Sequence, residues 1–515
     1  LTALGDRYAN RLTIKRNIHG DISRLDNGAG RALRLRYEQR HLVAIDYQSF
    51  HPAITLDEAW RTEQTLVSYR YDGRFRLIEA TNAAGESERY DYDDQHVILQ
   101  RQLAGGASFF WEWQGAGRAA RCVRHWASFA QMDSRYTWGE DGQVTVQHLD
   151  GSQEVYVHDE RARLVRKVEP DGGEHLKAYD PQGRLIAEQD PLGAVTEYRY
   201  DEAGRLVALI PPDEEPTSYE YRHGFLHARS RGKAVWQYRR NAQGDVIEVI
   251  DPHGQSTGYD YDAQGQLLAI RYPDGSEHRF TRNQLGQLTE ETLPDTGRRC
   301  FSYDALGRLL TRQDEHGALT HYQWDAVGRL LETTLPGGAT RAWHYNAYGK
   351  VTAERDELGR TTRYEYADDL HLISRRLNPD GSELKYRYDS ARLLLTEIEN
   401  ESGEKYQLDY TPNGLSRQQI GFDGQRTAYA YDLNGHLLEK TEHGADGAQW
   451  VTRYQRDGAG RLLVKTLPDG QAIEYRYDGL GRLVHGNDGT DHPLAFEYDA
   501  QDRLISEHQG WGTLR

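Results

Sequence analysis

Tyr303-Asp304-Ala305-Leu306-Gly307-Arg308-Leu309 is followed by Trp324-Asp325-Ala326-Val327-Gly328-Arg329-Leu330, then by Tyr345-Asn346-Ala347-Tyr348-Gly349-Lys350-Val351, at a step of 21 residues. An aromatic, an acid or amide, a glycine and a cation return at the same offsets each time. Aligned on the aromatic, the unit runs from Arg16, Tyr37, Tyr71 and Tyr92 to Tyr431, Arg456, Tyr477 and Tyr498. Of the 22 steps between its 23 positions, 15 are 21 residues, so the chain reads as a repeat array. The main slips are Tyr37 to Tyr71, Trp113 to Trp138 and Tyr431 to Arg456. They predict loop insertions near residues 44–68, 120–135 and 440–452 of one continuous array spanning residues 1–515.

One unit reads as two short strands and two turns. Asp304 suits the first position of a type I turn, where its carboxylate can bond the following amides. Gly307, three residues on, suits the left-handed backbone through which the chain re-enters a strand. A second turn follows about half a repeat later, as in Asp190-Pro191-Leu192-Gly193, Pro273-Asp274-Gly275 and Pro468-Asp469-Gly470. Aromatics pair at i and i+2 before the first turn (Tyr198/Tyr200, Tyr322/Trp324, Tyr475/Tyr477), with Arg199, Gln323 and Arg476 between them. A period of two puts rings on one face and polar groups on the other. The expectation is a stack of hairpins in which tyrosine ladders bury one another's rings.

Composition sets limits on what such a stack can be. A mean hydropathy of -0.84 and 28% charged residues are too polar for one large packed core. Yet 34 tyrosines, 10 tryptophans and 10 phenylalanines are too many for a disordered chain. A net charge of -17, with both signs mixed throughout, argues against a nucleic-acid partner. No apolar run approaches the length of a membrane span, so no membrane insertion by this chain is expected. Cys122 and Cys300 are the only cysteines, which excludes a disulfide framework and a thiolate zinc cluster, and both are expected to be reduced. The chain opens on Leu1 and carries no signal peptide, and is read as a piece of something longer.

No chemical constellation breaks the pattern. Asp295-Thr296-Gly297 matches the aspartic-protease triplet, but it stands where other repeats carry Pro-Asp-Gly and has no second copy, so it reads as a turn. Asp91, Asp93 and Asp94 lack the glycine and terminal glutamate of a calcium loop. His316 and His321 flank a turn, and Gly115-Ala116-Gly117 has no helix after it to hold a phosphate. No catalytic, cofactor-binding or metal-binding residue is assigned, and no cofactor is expected. The insertion between Tyr37 and Tyr71, including His51-Pro52, is the place to look for anything specialised.

The recurring Tyr-Asp-x-x-Gly-Arg-Leu, from about Gly5 to Ile505, resembles the RHS, or YD, repeat family. That family includes bacterial Rhs polymorphic toxins, toxin-complex B and C subunits and the YD shells of teneurins. The resemblance implies an all-β fold of about two dozen stacked hairpins, a spiralling single-layer sheet that curves into a hollow shell. It further implies a container for the C-terminal toxin of an Rhs-type effector, exported from a bacterial cytoplasm without a cleavable signal peptide. The implied partners are that toxin, remaining shell fragments or an N-terminal plug, and a type VI spike protein and chaperone reached through an N-terminal module this chain lacks. The Asp-Pro-x-Gly-Leu-type segment and self-cleaving aspartates of the family are also missing, so no enzymatic activity is expected of this chain. The rival expectation is an adhesion surface for glycan or a receptor.

Overall fold

The computed structural model describes residues 2–51, 59–129, 132–367, 372–510 and 512–514. These form a 48-stranded all-β sheet with no α-helix among them, only a single 3-10 turn at Gly117–Ala119. Strands next to each other in sequence pair antiparallel, as Arg298–Tyr303 does with Leu309–Gln313 and that strand with Leu319–Trp324. The hairpin repeat and its single layer are thus as the sequence implies.

Both turns of the unit close by the same device. In the aromatic turn, the Asp304 amide bonds Arg308 O at 2.9 Å and the Gly307 amide bonds Asp304 O at 3.0 Å. The Asp304 carboxylate then accepts the Arg308 amide at 2.8 Å. The return turn repeats this, with Gly317 bonded to Asp314 O and the Asp314 carboxylate accepting the amides of His316 and Ala318. Gly307 and Gly317 have φ of 86° and 84°, the left-handed backbone expected of them.

Most aromatic strands end in a bulge, although Asp133–Trp138 pairs in unbroken register. Gln323 opposes Glu332, but Trp324 opposes Leu330, which leaves Leu331 as the extra residue. The same slip leaves Ile186, Leu268, Leu310, Leu438, Leu463 and Ile505 unopposed, and all of these are exposed. The register also fixes the faces. Tyr322 lies opposite Thr333 on the ring face, and Gln323 opposite Glu332 on the polar face.

A compact protein of this mass exposes about 19,000 Å², whereas this chain exposes 29996 Å². The excess is what a single layer must show, because both of its faces meet solvent. No large side chain is fully buried among the described residues, and the buried apolar set is mostly alanine.

The insertions correct one expectation. The extra residues after Tyr37 lengthen two strands, His41–Phe50 and Trp60–Tyr71, of 10 and 12 residues; Pro52 and its neighbours to residue 58 lie outside the described residues. Those near 440–452 likewise extend Leu437–His443 and Gln449–Arg456. Near 120–135 the chain adds the short 3-10 turn, while residues 130–131 lie outside the described set. Extending a strand pairs most of the added amides with a neighbour, where a loop would leave them to solvent.

The chain divides by contact into two units: residues 1–130, 240–248 and 257–383, and residues 131–239, 249–256 and 384–515. Each unit therefore holds an earlier and a later pass of the same strip.

Gly328 has φ of 86° with open space around it, and Gly337 has open space without that constraint. Gly328→Ala should lower stability by about 1 kcal/mol through the left-handed backbone alone, with Gly337→Ala near neutral. Denaturant unfolding of the two variants checks this.

Candidate functional surface

The cation of the repeat, to which sequence reasoning gave no physical task, joins one hairpin to the next. Arg184 Nε donates to Asp180 Oδ2 at 2.6 Å in its own turn. Its Nη1 donates to Asp201 O, in the next aromatic turn, at 3.3 Å. Its guanidinium lies 4.9 Å from the ring centre of Tyr200. Arg163 and Arg482 repeat all three contacts with Asp159, Asp180 and Tyr179, and with Asp478, Asp499 and Tyr498. A planar fork suits this task, since one edge meets a carboxylate while the face stacks on a ring. The signal was present in the sequence as a cation fixed one residue after the turn glycine.

The aromatic completes the link. Tyr200, Tyr303 and Tyr345 donate their hydroxyls to Leu185, Leu288 and Leu330 O at 2.8, 2.8 and 2.6 Å, and Trp324 Nε1 donates to Leu309 O at 2.7 Å. Each acceptor opens the bulged strand of the preceding hairpin. The expectation that tyrosines bury one another's rings is therefore modified. What recurs is a guanidinium on the ring and a carbonyl on the hydroxyl.

Within each unit the two passes meet at their turns. In the first, Asn10 donates to Gln264 O at 2.9 Å, Arg329 pairs with Glu86 at 2.9 Å, and the Ala107 amide donates to Tyr348 Oη at 2.8 Å. In the second, Arg392 pairs with Asp150 at 3.0 Å, and Asn434 Nδ2 donates to Asp190 Oδ2 at 2.7 Å. The Glu215 amide donates to Gly479 O at 2.7 Å. Partners stand from 237 to 262 residues apart in sequence. Earlier-pass turns offer carboxylates to side-chain donors of the later pass at Glu86, Asp150, Asp171 and Asp190, whereas Asn10, Tyr47 and Gln64 of the earlier pass donate to carbonyls of later-pass turns. Partly exposed pairs of this kind contribute about 0–1 kcal/mol each.

The residues weighed for chemistry fall as follows. Gly297 N donates to the Asp295 carboxylate at 3.0 Å, and Thr296 takes φ of 73°, so the triplet is a return turn. Asp93 holds the amides of Gln95 and Val97, Asp91 that of Tyr92, and Asp94 pairs with Arg74. No group of three or more His, Cys, Asp or Glu suited to a metal occurs among the described residues. His316 lies on a return turn and His321 in the following strand. Gly117 opens the 3-10 turn and Gly115 lies two residues before it. Burial pushes the Cys122 thiol up, which favours the unreactive form. In the long strands, Ser49, His51 and Glu63 do come together, with Ser49 Oγ 2.8 Å from His51 Nε2 and bonded to Glu63. Glu63 also faces Nε2, at 3.4 Å. A relay needs the acid on the opposite ring nitrogen from the hydroxyl, so this cluster is a hydrogen-bonded patch.

Burial, then a bond to Glu88, Glu188 or Glu354, pushes Tyr90, Tyr198 and Tyr364 up to about 12. The folded state favours the neutral phenol, so this stability is present below the ordinary value of 10 and is lost as pH rises through about 12. Tyrosinate absorbance should lag free tyrosine through that window and rise together with loss of β circular dichroism. At the acid end, the side-chain bond from Arg163 and its amide hold Asp159 below the usual carboxylate range, a contribution lost as pH falls through that lowered value.

The model of the RHS repeat matches residues 179–216, 240–277, 303–340, 345–383, 431–471 and 456–491. No curated protein matches the chain. Among solved structures, TcdB2-TccC3 is similar over 99% of this chain and 32% of its own, at 12% identity and a TM-score of 0.60. TcdB2-TccC3-Cdc42 is similar over 99% and 34%, at 11% identity and a TM-score of 0.60. A Photorhabdus luminescens Tc holotoxin pore is similar over 96% and 30%, at 13% identity and a TM-score of 0.60. The chain spans about a third of the length of these solved chains. With the repeat model matched six times and the turn, rung and arginine link recurring between the matches, the chain is built of RHS repeats.

Proposed function

We propose that this chain is wall material for a container, which encloses the C-terminal toxin of an Rhs-type effector until delivery. The observation that carries the reading is the return of the strip onto itself. Within each unit, turns about half the chain apart are bonded side to side, as an enclosing wall requires and an open ribbon does not. Fold likeness to structures that contain TccC3 supports it. On this reading the chain is structural and not catalytic, and closure of the wall into a hollow shell is part of the proposal. Export, passage through a type VI spike and a role in competition between bacteria belong to it as well.

A second reading has one local observation in its favour. Phe110 and Trp126 stack at 5.4 Å with Arg124 over the tryptophan ring, on the face that elsewhere carries charges. An aromatic platform of this kind can hold a sugar ring. If the chain is an adhesion surface, Trp126→Ala should abolish saturable glycan binding; if no glycan binds the unaltered protein, this reading is wrong.

The container is tested by limited proteolysis of the longer parent, native and then denatured. The tail beyond the repeats should be resistant in the native protein and cut at once after denaturation. Equal rates in both states would exclude encapsulation.

A further inference from the structure

We infer that the join between the two passes of each unit opens as a structural element of its own, with the strip ladder left intact. Along the strip, hairpins are held by the backbone ladder, the tyrosine rungs and the arginine links. Across the join, the bonds are mostly single side-chain contacts from turn to turn, with ion pairs Glu86–Arg329 and Asp150–Arg392 and, at 3.7 Å, Glu214–Arg461 among them. Elements of such unequal cohesion open separately, the weaker first. Contacts between partly exposed charges also weaken as salt screens them, whereas ladder bonds do not depend on ionic strength in that way.

Glycine marks how closely the passes approach. A Cβ on Gly105 would run into the Tyr348 ring, one on Gly265 into Tyr8, and one on Gly458 would lie 2.6 Å from Asp213 Oδ2. Gly105 carries no left-handed constraint, so alanine there strains the join and not its own turn. Opening along this line separates turns while every hairpin keeps its chain neighbours. It provides a way to part the wall without unfolding it.

Two amides report the join directly, because their acceptors lie across it: Ala107, bonded to Tyr348 Oη, and Glu215, bonded to Gly479 O. Gly106 serves as the control, since its amide bonds Leu103 O inside the same turn. Hydrogen exchange read by mass spectrometry with overlapping peptides should show Ala107 and Glu215 exchanging at least about tenfold faster than amides of Arg298–Tyr303. Raising salt from about 0.05 M to about 1 M should accelerate both and leave Gly106 and the strand unchanged. Gly105→Ala should accelerate Ala107 several-fold at low salt, while Gly337→Ala should not. Exchange of the two reporters in step with the strand would overturn the inference. So would reporters indifferent both to salt and to Gly105→Ala.

Discussion

A single-layer sheet has no opposing layer in which to bury side chains, and the rest of this structure follows from that constraint. Stability has to come from within the layer, by tying each hairpin to the next through groups that would otherwise face water. The aspartate bonds its own turn, the arginine bonds that aspartate and the following turn, and the aromatic bonds the preceding hairpin. Three side chains at fixed offsets thus supply what a hydrophobic core supplies elsewhere. Their contributions are individually small and sum along the array, as expected where each unit touches mainly its neighbours.

The constraint also explains the alanine-rich buried set and the exposed leucines. Each bulge bends its strand and leaves one residue unopposed, and at Leu310, Leu331 and Leu463 that residue is apolar and turned to solvent. The ring face is largely occupied by its own arginines and carbonyls. The polar face carries charges interrupted by these leucines and by aromatic pairs such as Phe110 and Trp126. The two faces therefore offer different chemistry to whatever meets them.

The turns, the hairpin and the two faces were legible in the sequence because they depend on contacts within a few residues. Asp304 and Gly307 identify a turn, and Tyr322 with Trp324 identifies a face, without reference to anything distant. The bulge was not legible, because Leu330-Leu331 looks like ordinary strand until the register is known. The long strands around His51 were read as a loop, since a slip in period counts residues without saying whether they pair. The join was beyond reach altogether. Whether Glu86 meets Arg329 depends on twist accumulated over some 240 residues, and local sequence does not encode that sum.

That accumulated sum has a consequence for how such an array can change over generations. In an open solenoid a repeat can be gained or lost with little effect beyond its flanks. Here, a hairpin duplicated between Glu86 and Arg329 would offset every partnership that spans the duplication by 21 residues, setting return turns against strangers. Point substitutions are cheap in this architecture, and a change in copy number is not. Wound arrays of this kind should therefore diverge widely in sequence while keeping the number of repeats per pass.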